Sequence, residues 1–148
     1  MYFPERALLV GVQLPTENIP SGLSLPELGR LAATAGAQVV GSLTQKRDRP
    51  DPQYFIGSGK VGELRELTTS KCANLVIFDH EVKPSQNRNL EEELGIKVID
   101  RTELILDIFA QDAKSREGKL QVELAQSSFL LTRLTGHGAQ MSRLGGGI

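Results

Sequence analysis

The chain has 148 residues, of which 39% are hydrophobic and 24% charged, a balance that supports one buried core or a core with an appendage. No window reaches the roughly 18 apolar residues of a membrane span. The first residues lack the form of a signal peptide, and the single cysteine, Cys72, excludes an intrachain disulfide and fits a reducing, cytoplasmic setting. Charge is uneven: residues 1–113 hold 12 basic and 16 acidic side chains, whereas residues 114–148 hold 5 and 2. A basic tail on an acidic body is a pattern of contact with a polyanion such as RNA. With no tryptophan and few other aromatics, a stacking platform for single strands is not expected.

The run Ala7-Leu8-Leu9-Val10-Gly11-Val12 is apolar throughout and predicts a strand covered on both faces, ended by Leu14-Pro15-Thr16. A Pro, Ser and Gly-rich loop over 15–24 follows. Ser24 is the expected cap of a helix carrying Leu25, Leu28, Leu31 and Ala32 at helical spacing, closed by Gly36. Ala37 to Leu43 predicts a second strand. Thr44 to Pro52 is charged and holds two prolines, which argues against a long regular element. Ser58 is the expected cap of a helix bearing Val61, Leu64 and Leu67. Leu75-Val76-Ile77-Phe78 predicts a third strand ending at Asp79. Pro84 and Ser85 open a helix that Gly95 ends, and Ile96 to Asp100 predicts a fourth strand.

This alternation predicts an α/β fold: a small four-stranded parallel sheet flanked by helices, with sites at the carboxyl ends of the strands. From Thr102 to Leu134 there is no proline and one glycine, Gly118. The stretch reads as a long helix, either continuous and about 50 Å long or broken near Ser115–Lys119. Leu120, Leu124, Leu131 and Leu134 form a seam that needs a partner helix. The chain then enters the glycine-rich stretch Thr135 to Ile148. The expected organisation is an α/β subdomain over 1–101, followed over 102–148 by one arm of an incomplete helical hairpin, so that the chain reads as truncated. Its exposed seam would also allow self-association through 102–134.

Few residues carry recognisable chemistry. Gly57-Ser58-Gly59-Lys60 resembles part of a phosphate loop, but Tyr54 and Val61 stand where that motif needs a glycine and a hydroxyl. A glycine-rich turn at a helix start still offers N–H groups to a phosphate, with Lys60 beside them; the plainer reading is a turn with a solvated lysine. Arg88 could face a phosphate, although pairing with Glu91 or Glu92 along its helix is the better expectation. Asp79-His80-Glu81 invites a metal or general-base reading, yet no second His or Cys stands at ligand spacing, and no metal site is expected. Lys46, Arg47 and Arg49 form a small basic cluster that Asp48 and Asp51 dilute. No catalytic triad can be drawn, so no catalytic residue is expected. The stretch Leu134 to Ile148 combines glycines that allow close backbone approach with Arg133, His137, Gln140 and Arg143, which can contact phosphates, 2′-hydroxyls and base edges.

Several contiguous runs are familiar: Gly41-Ser42-Leu43-Thr44-Gln45-Lys46-Arg47, Tyr54-Phe55-Ile56-Gly57-Ser58-Gly59-Lys60-Val61, Lys97 to Gln111, Arg116 to Gln126, and Arg133-Leu134-Thr135-Gly136-His137-Gly138. From about Arg6 to Ile148 the chain resembles the N-terminal region of the HflX-type GTPases. The resemblance implies an α/β subdomain, a helical hairpin and, beyond them, a GTP-binding domain. The P-loop and switch regions of that domain have no counterpart here, so GTP hydrolysis is not expected of this chain, and GTP and magnesium would belong to that further domain. The resemblance implies association with the large ribosomal subunit and a part in dissociating stalled or idle ribosomes. It places RNA contact on Arg133, Gly136, His137, Gln140 and Arg143. It also implies ATP binding by the N-terminal region, for which Lys60 and Arg88 are the candidates. Three functions follow: a ribosome-binding module, an ATP-binding α/β domain with weak ATPase activity, or an inactive fragment of a larger GTPase.

Overall fold

The computed structural model describes residues 5–15, 21–112 and 124–131. Four parallel strands, β1 (Arg6–Gln13), β2 (Gln38–Lys46), β3 (Leu75–Phe78) and β4 (Lys97–Asp100), lie in the order β2-β1-β3-β4. The helices α1 (Ser21–Thr34), α2 (Ser58–Ser70) and α3 (Pro84–Leu94) connect them, and α4 (Arg101–Asp112) follows β4 directly. β1 is central, and its six interior residues are all buried, because helices cover both faces of the sheet.

Side chains alternate across each strand, and the alternation sorts the core into two layers. On one face Ala7, Leu9, Leu75, Ile77 and Ile99 pack against Leu25, Leu28 and Ala32 of α1 and Leu104 of α4. On the other, Leu8, Val10, Val12, Val76, Phe78 and Val98 pack against α2 and α3 through Val61, Leu64, Leu90 and Leu94. A side chain at Gly11 would place its Cβ 3.0 Å from Cγ of Leu25, so glycine there lets α1 lie close to β1.

Element boundaries differ from expectation in instructive ways. α1 begins at Ser21, so Ser24 lies inside the helix rather than capping it. β2 runs three residues past Leu43, because Thr44, Gln45 and Lys46 continue the ladder against Gly11, Val12 and Gln13. Backbone pairing does not require apolar side chains on an edge strand. Gly57, not Ser58, caps α2, without a side-chain hydrogen bond. α3 starts at Pro84, with the Lys83 N–H donating to Oε1 of Gln86, and ends at Gly95 in the left-handed conformation, as expected.

The Gln126 amide donates to Oδ1 of Asp107 at 3.4 Å, whereas 19 residues of straight helix would separate them by about 28 Å. Residues 101–112 and 124–131 are therefore not parts of one straight helix; the expected break at Ser115–Lys119 lies outside the described residues. Leu106 and Asp107 of α4 and Gln126, Phe129 and Leu130 line a groove of about 250 Å³ between the two helices. Phe109, Leu124, Leu130 and Leu131 remain exposed. Among the described residues no helix is long and apolar enough to cross a membrane.

Candidate functional site

The carboxyl ends of the four strands share one edge of the sheet, and two polar constellations form there. The first joins β3, α1 and α4. Arg101 Nε donates to Oδ1 of nearly buried Asp79 at 2.9 Å, its Nη2 also meets that carboxylate, and its Nη1 reaches Oε1 of Glu27 at 3.1 Å. Partial burial works against the Arg101 charge. The hydrogen bonds and ion pairs with Asp79 and then Glu27 outweigh it, so its pKa lies above the ordinary arginine value. Next to it, fully buried Asp100 accepts from the N–H of Val82 at 3.1 Å and from the N–H of Glu103 at 3.0 Å, capping α4. This constellation ties elements together. It also engages Asp79, the first residue of the Asp79-His80-Glu81 stretch. His80 lies against the ring of Phe55, with centroids 5.6 Å apart. Among the described residues no group of three or more His, Cys, Asp or Glu side chains could hold a metal ion.

The second constellation is an open groove of about 580 Å³ at the ends of β1 and β2. Gln13, Leu14 and Pro15 form one side and the run Lys46 to Arg49 the other. A tight turn after it fixes the shape. Asp51 Oδ2 accepts from the N–H groups of Gln53 and Tyr54, and Asp51 and Phe55 exchange two backbone hydrogen bonds of 3.0 Å. Phe55 adopts a left-handed φ of 68° that aims its ring into the core against Phe78. The turn is pinned to α3 by Gln86, whose amide donates to the Asp51 carbonyl, and by Asn89, whose amide donates to that of Gln53. The Asp51 carboxylate is thus tied into the turn and, among the described residues, forms no ion pair with the basic cluster. Arg47 Nε donates to the Arg49 carbonyl at 3.0 Å, and the Gly57 N–H donates to Oε1 of Gln45 at 3.0 Å. The Gly57-Ser58-Gly59-Lys60 turn therefore opens α2 beside the groove.

The two residues expected from sequence to bind nucleotide stand on different helices, Lys60 on α2 and Arg88 on α3. Lys60 pairs with Glu63 at 3.1 Å along its own helix. Arg88, on α3, has a buried Nε without a hydrogen-bond partner, and among the described residues no ion pair joins it to Glu91 or Glu92. Glu91 instead accepts from the Val98 N–H at 3.0 Å, which overturns its expected pairing with Arg88. Arg133, Gly136, His137, Gln140 and Arg143 lie outside the described residues. The groove cations Lys46, Arg47 and Arg49 are the basic cluster that sequence reasoning sets aside because Asp48 and Asp51 stand among them. The sequence signal for the neighbouring turn is the Asp51-Pro52-Gln53-Tyr54 pattern, in which the carboxylate accepts from backbone N–H groups.

Known proteins resemble this chain over nearly its whole length. Residues 23–110 match the family described as GTP-binding GTPase N-terminal, and residues 112–148 match GTP-binding GTPase Middle Region. A relative named GTPase HflX from Alkalihalophilus pseudofirmus is 55% identical over 144 residues, covering 97% of this chain and 34% of its own length. GTPase HflX of Escherichia coli is 44% identical over the same span, covering 97% of this chain and 33% of its own length. The chain thus spans about a third of the relatives it matches. A crystal structure titled as a complex of SsGBP and GDP superposes with a TM-score of 0.73 at 23% identity, over 95% of this chain and 39% of that one. At that identity the likeness establishes the fold.

Proposed function

The chain belongs to the HflX family of GTPases, and from that premise we propose that it is an N-terminal module that binds the large ribosomal subunit and serves ribosome dissociation and rescue. The observation that carries this reading is the match of both the N-terminal and the middle region of the family along one chain. The middle-region match covers the segment where basic side chains outnumber acidic ones. Arg133, Gly136, His137, Gln140 and Arg143 are the proposed RNA contacts, through phosphates and exposed base edges. Operation in the cytoplasm, with a GTPase domain as partner, belongs to the same proposal.

The chain's own residues do not fit a GTP–magnesium site. Lys60 is held by Glu63, and Val61 occupies the position where a hydroxyl would face the metal. No hydrolytic step is derived from it. The test is co-sedimentation of the chain with purified large ribosomal subunits, without nucleotide. Arg133→Ala with Arg143→Ala should reduce pelleting; unchanged pelleting of this variant would refute the assignment of contacts to that stretch.

A further inference from the structure

We propose that the groove formed by Lys46, Arg47 and Arg49 is a second RNA contact, on the α/β body, which takes the phosphodiester backbone of a structured RNA. It shares its partner class with the reading above but none of its residues.

Four observations carry it. First, the groove gathers three cations and one acid, Asp48, at the carboxyl ends of β1 and β2, where ligands of open α/β sheets bind. Second, none of these three neighbouring cations forms an ion pair among the described residues, so no carboxylate there occupies their charge directly. Third, the Arg47 guanidinium is pressed against the start of α2. A Cβ at Gly57 would lie 2.8 Å from its Nη1. A fixed cation at the positive end of a helix is electrostatically unfavourable, and an anion lodged between them relieves both. Fourth, Lys46 and Arg49 are exposed, and no aromatic side chain lines the groove. A mononucleotide site encloses most of its ligand. An open basic trough suits a backbone that passes through and is read by charge.

The experiment measures binding of the full chain to a short fluorescein-labelled RNA hairpin by anisotropy, across about 50 to 200 mM salt. The Lys46→Ala, Arg47→Ala, Arg49→Ala variant should bind about tenfold or more weakly at low salt, and its slope of log affinity against log salt should shrink by roughly 2 to 3. Asp48→Asn should bind more tightly than wild type. Gly57→Ala, which displaces the tip of Arg47, should bind more weakly with its circular dichroism unchanged. These two single changes test the groove even if the triple variant fails to fold.

An unchanged slope in the folded triple variant, or a response from neither single variant, would overturn the proposal. So would failure of the wild-type chain to bind the hairpin at low salt. Loss of magnesium–ATP binding with RNA binding intact would assign the groove to a mononucleotide instead. Arg133→Ala with Arg143→Ala, run in parallel, separates the two RNA assignments. If only that variant loses binding, the groove proposal fails; if only the groove variants do, the assignment to Arg133 and Arg143 fails.

Discussion

Removing the Asp100 carboxylate should destabilise the protein far more than one hydrogen bond suggests. Asp100 is fully buried and holds two elements at once: Oδ1 accepts from the first turn of α4 and Oδ2 from the N–H of Val82, itself a core residue. Loss of a helix cap costs about 1 kcal/mol. A buried N–H left unsatisfied costs a further 1–3 kcal/mol or so. Asp100→Ala should therefore cost about 3 kcal/mol, which for a chain of this size is a fall in melting temperature of roughly 6–12 °C. Asp100→Asn retains one acceptor and turns its NH2 group toward the other donor, so it should fall between wild type and alanine. Urea unfolding followed by circular dichroism measures both, as a lower midpoint at unchanged slope. A loss under about 1 kcal/mol for Asp100→Ala would refute the reasoning, because it would mean that water or another acceptor serves both N–H groups.

Three other outcomes are expected. Arg101→Ala leaves nearly buried Asp79 without its cation and should cost about 2–3 kcal/mol, part of it recovered by adding Asp79→Asn, as urea unfolding of both variants would show. Gly11→Ala pushes a methyl group against Leu25 and should cost about 1–2 kcal/mol, which Leu25→Ala in the same chain should not compound. Tyr54 should ionise above the ordinary phenol value, first through desolvation and then through the Glu93 carboxylate beside it. In a Tyr2→Phe background its phenolate absorbance should appear at a lower pH once Glu93 becomes Gln. Because the folded-state pKa is the raised one, the stability Tyr54 contributes is complete below about pH 10 and is lost as pH rises through that folded value.

Strong local signals made most of the architecture legible. The apolar run of β3 and the Pro84 to Gly95 bracket of α3 are legible almost to the residue, because apolar runs, N-terminal proline and C-terminal glycine act within a few positions. Features that depend on distant partners were not legible. Thr44 to Lys46 look like loop until β1 supplies a ladder for them. Asp51 looks like a surface acid until its turn and Gln86 are in place. That α4 and residues 124–131 are not one straight helix is announced by no proline, and the contact between Asp107 and Gln126 makes it evident. The groove followed the same course. Its cations are visible in the sequence, but that Asp51 is tied into a turn pinned by Gln86, leaving Asp48 as the acid of the groove, is set by tertiary structure.

The most direct test of the central claim is sedimentation of the wild-type chain with purified large ribosomal subunits at about 50 and 200 mM salt, without nucleotide. The account predicts pelleting at the lower salt and its steep loss at the higher, as bound phosphates recover their counterions. Absence of pelleting at low salt, or pelleting indifferent to salt, would contradict a module that holds the ribosome through RNA phosphates.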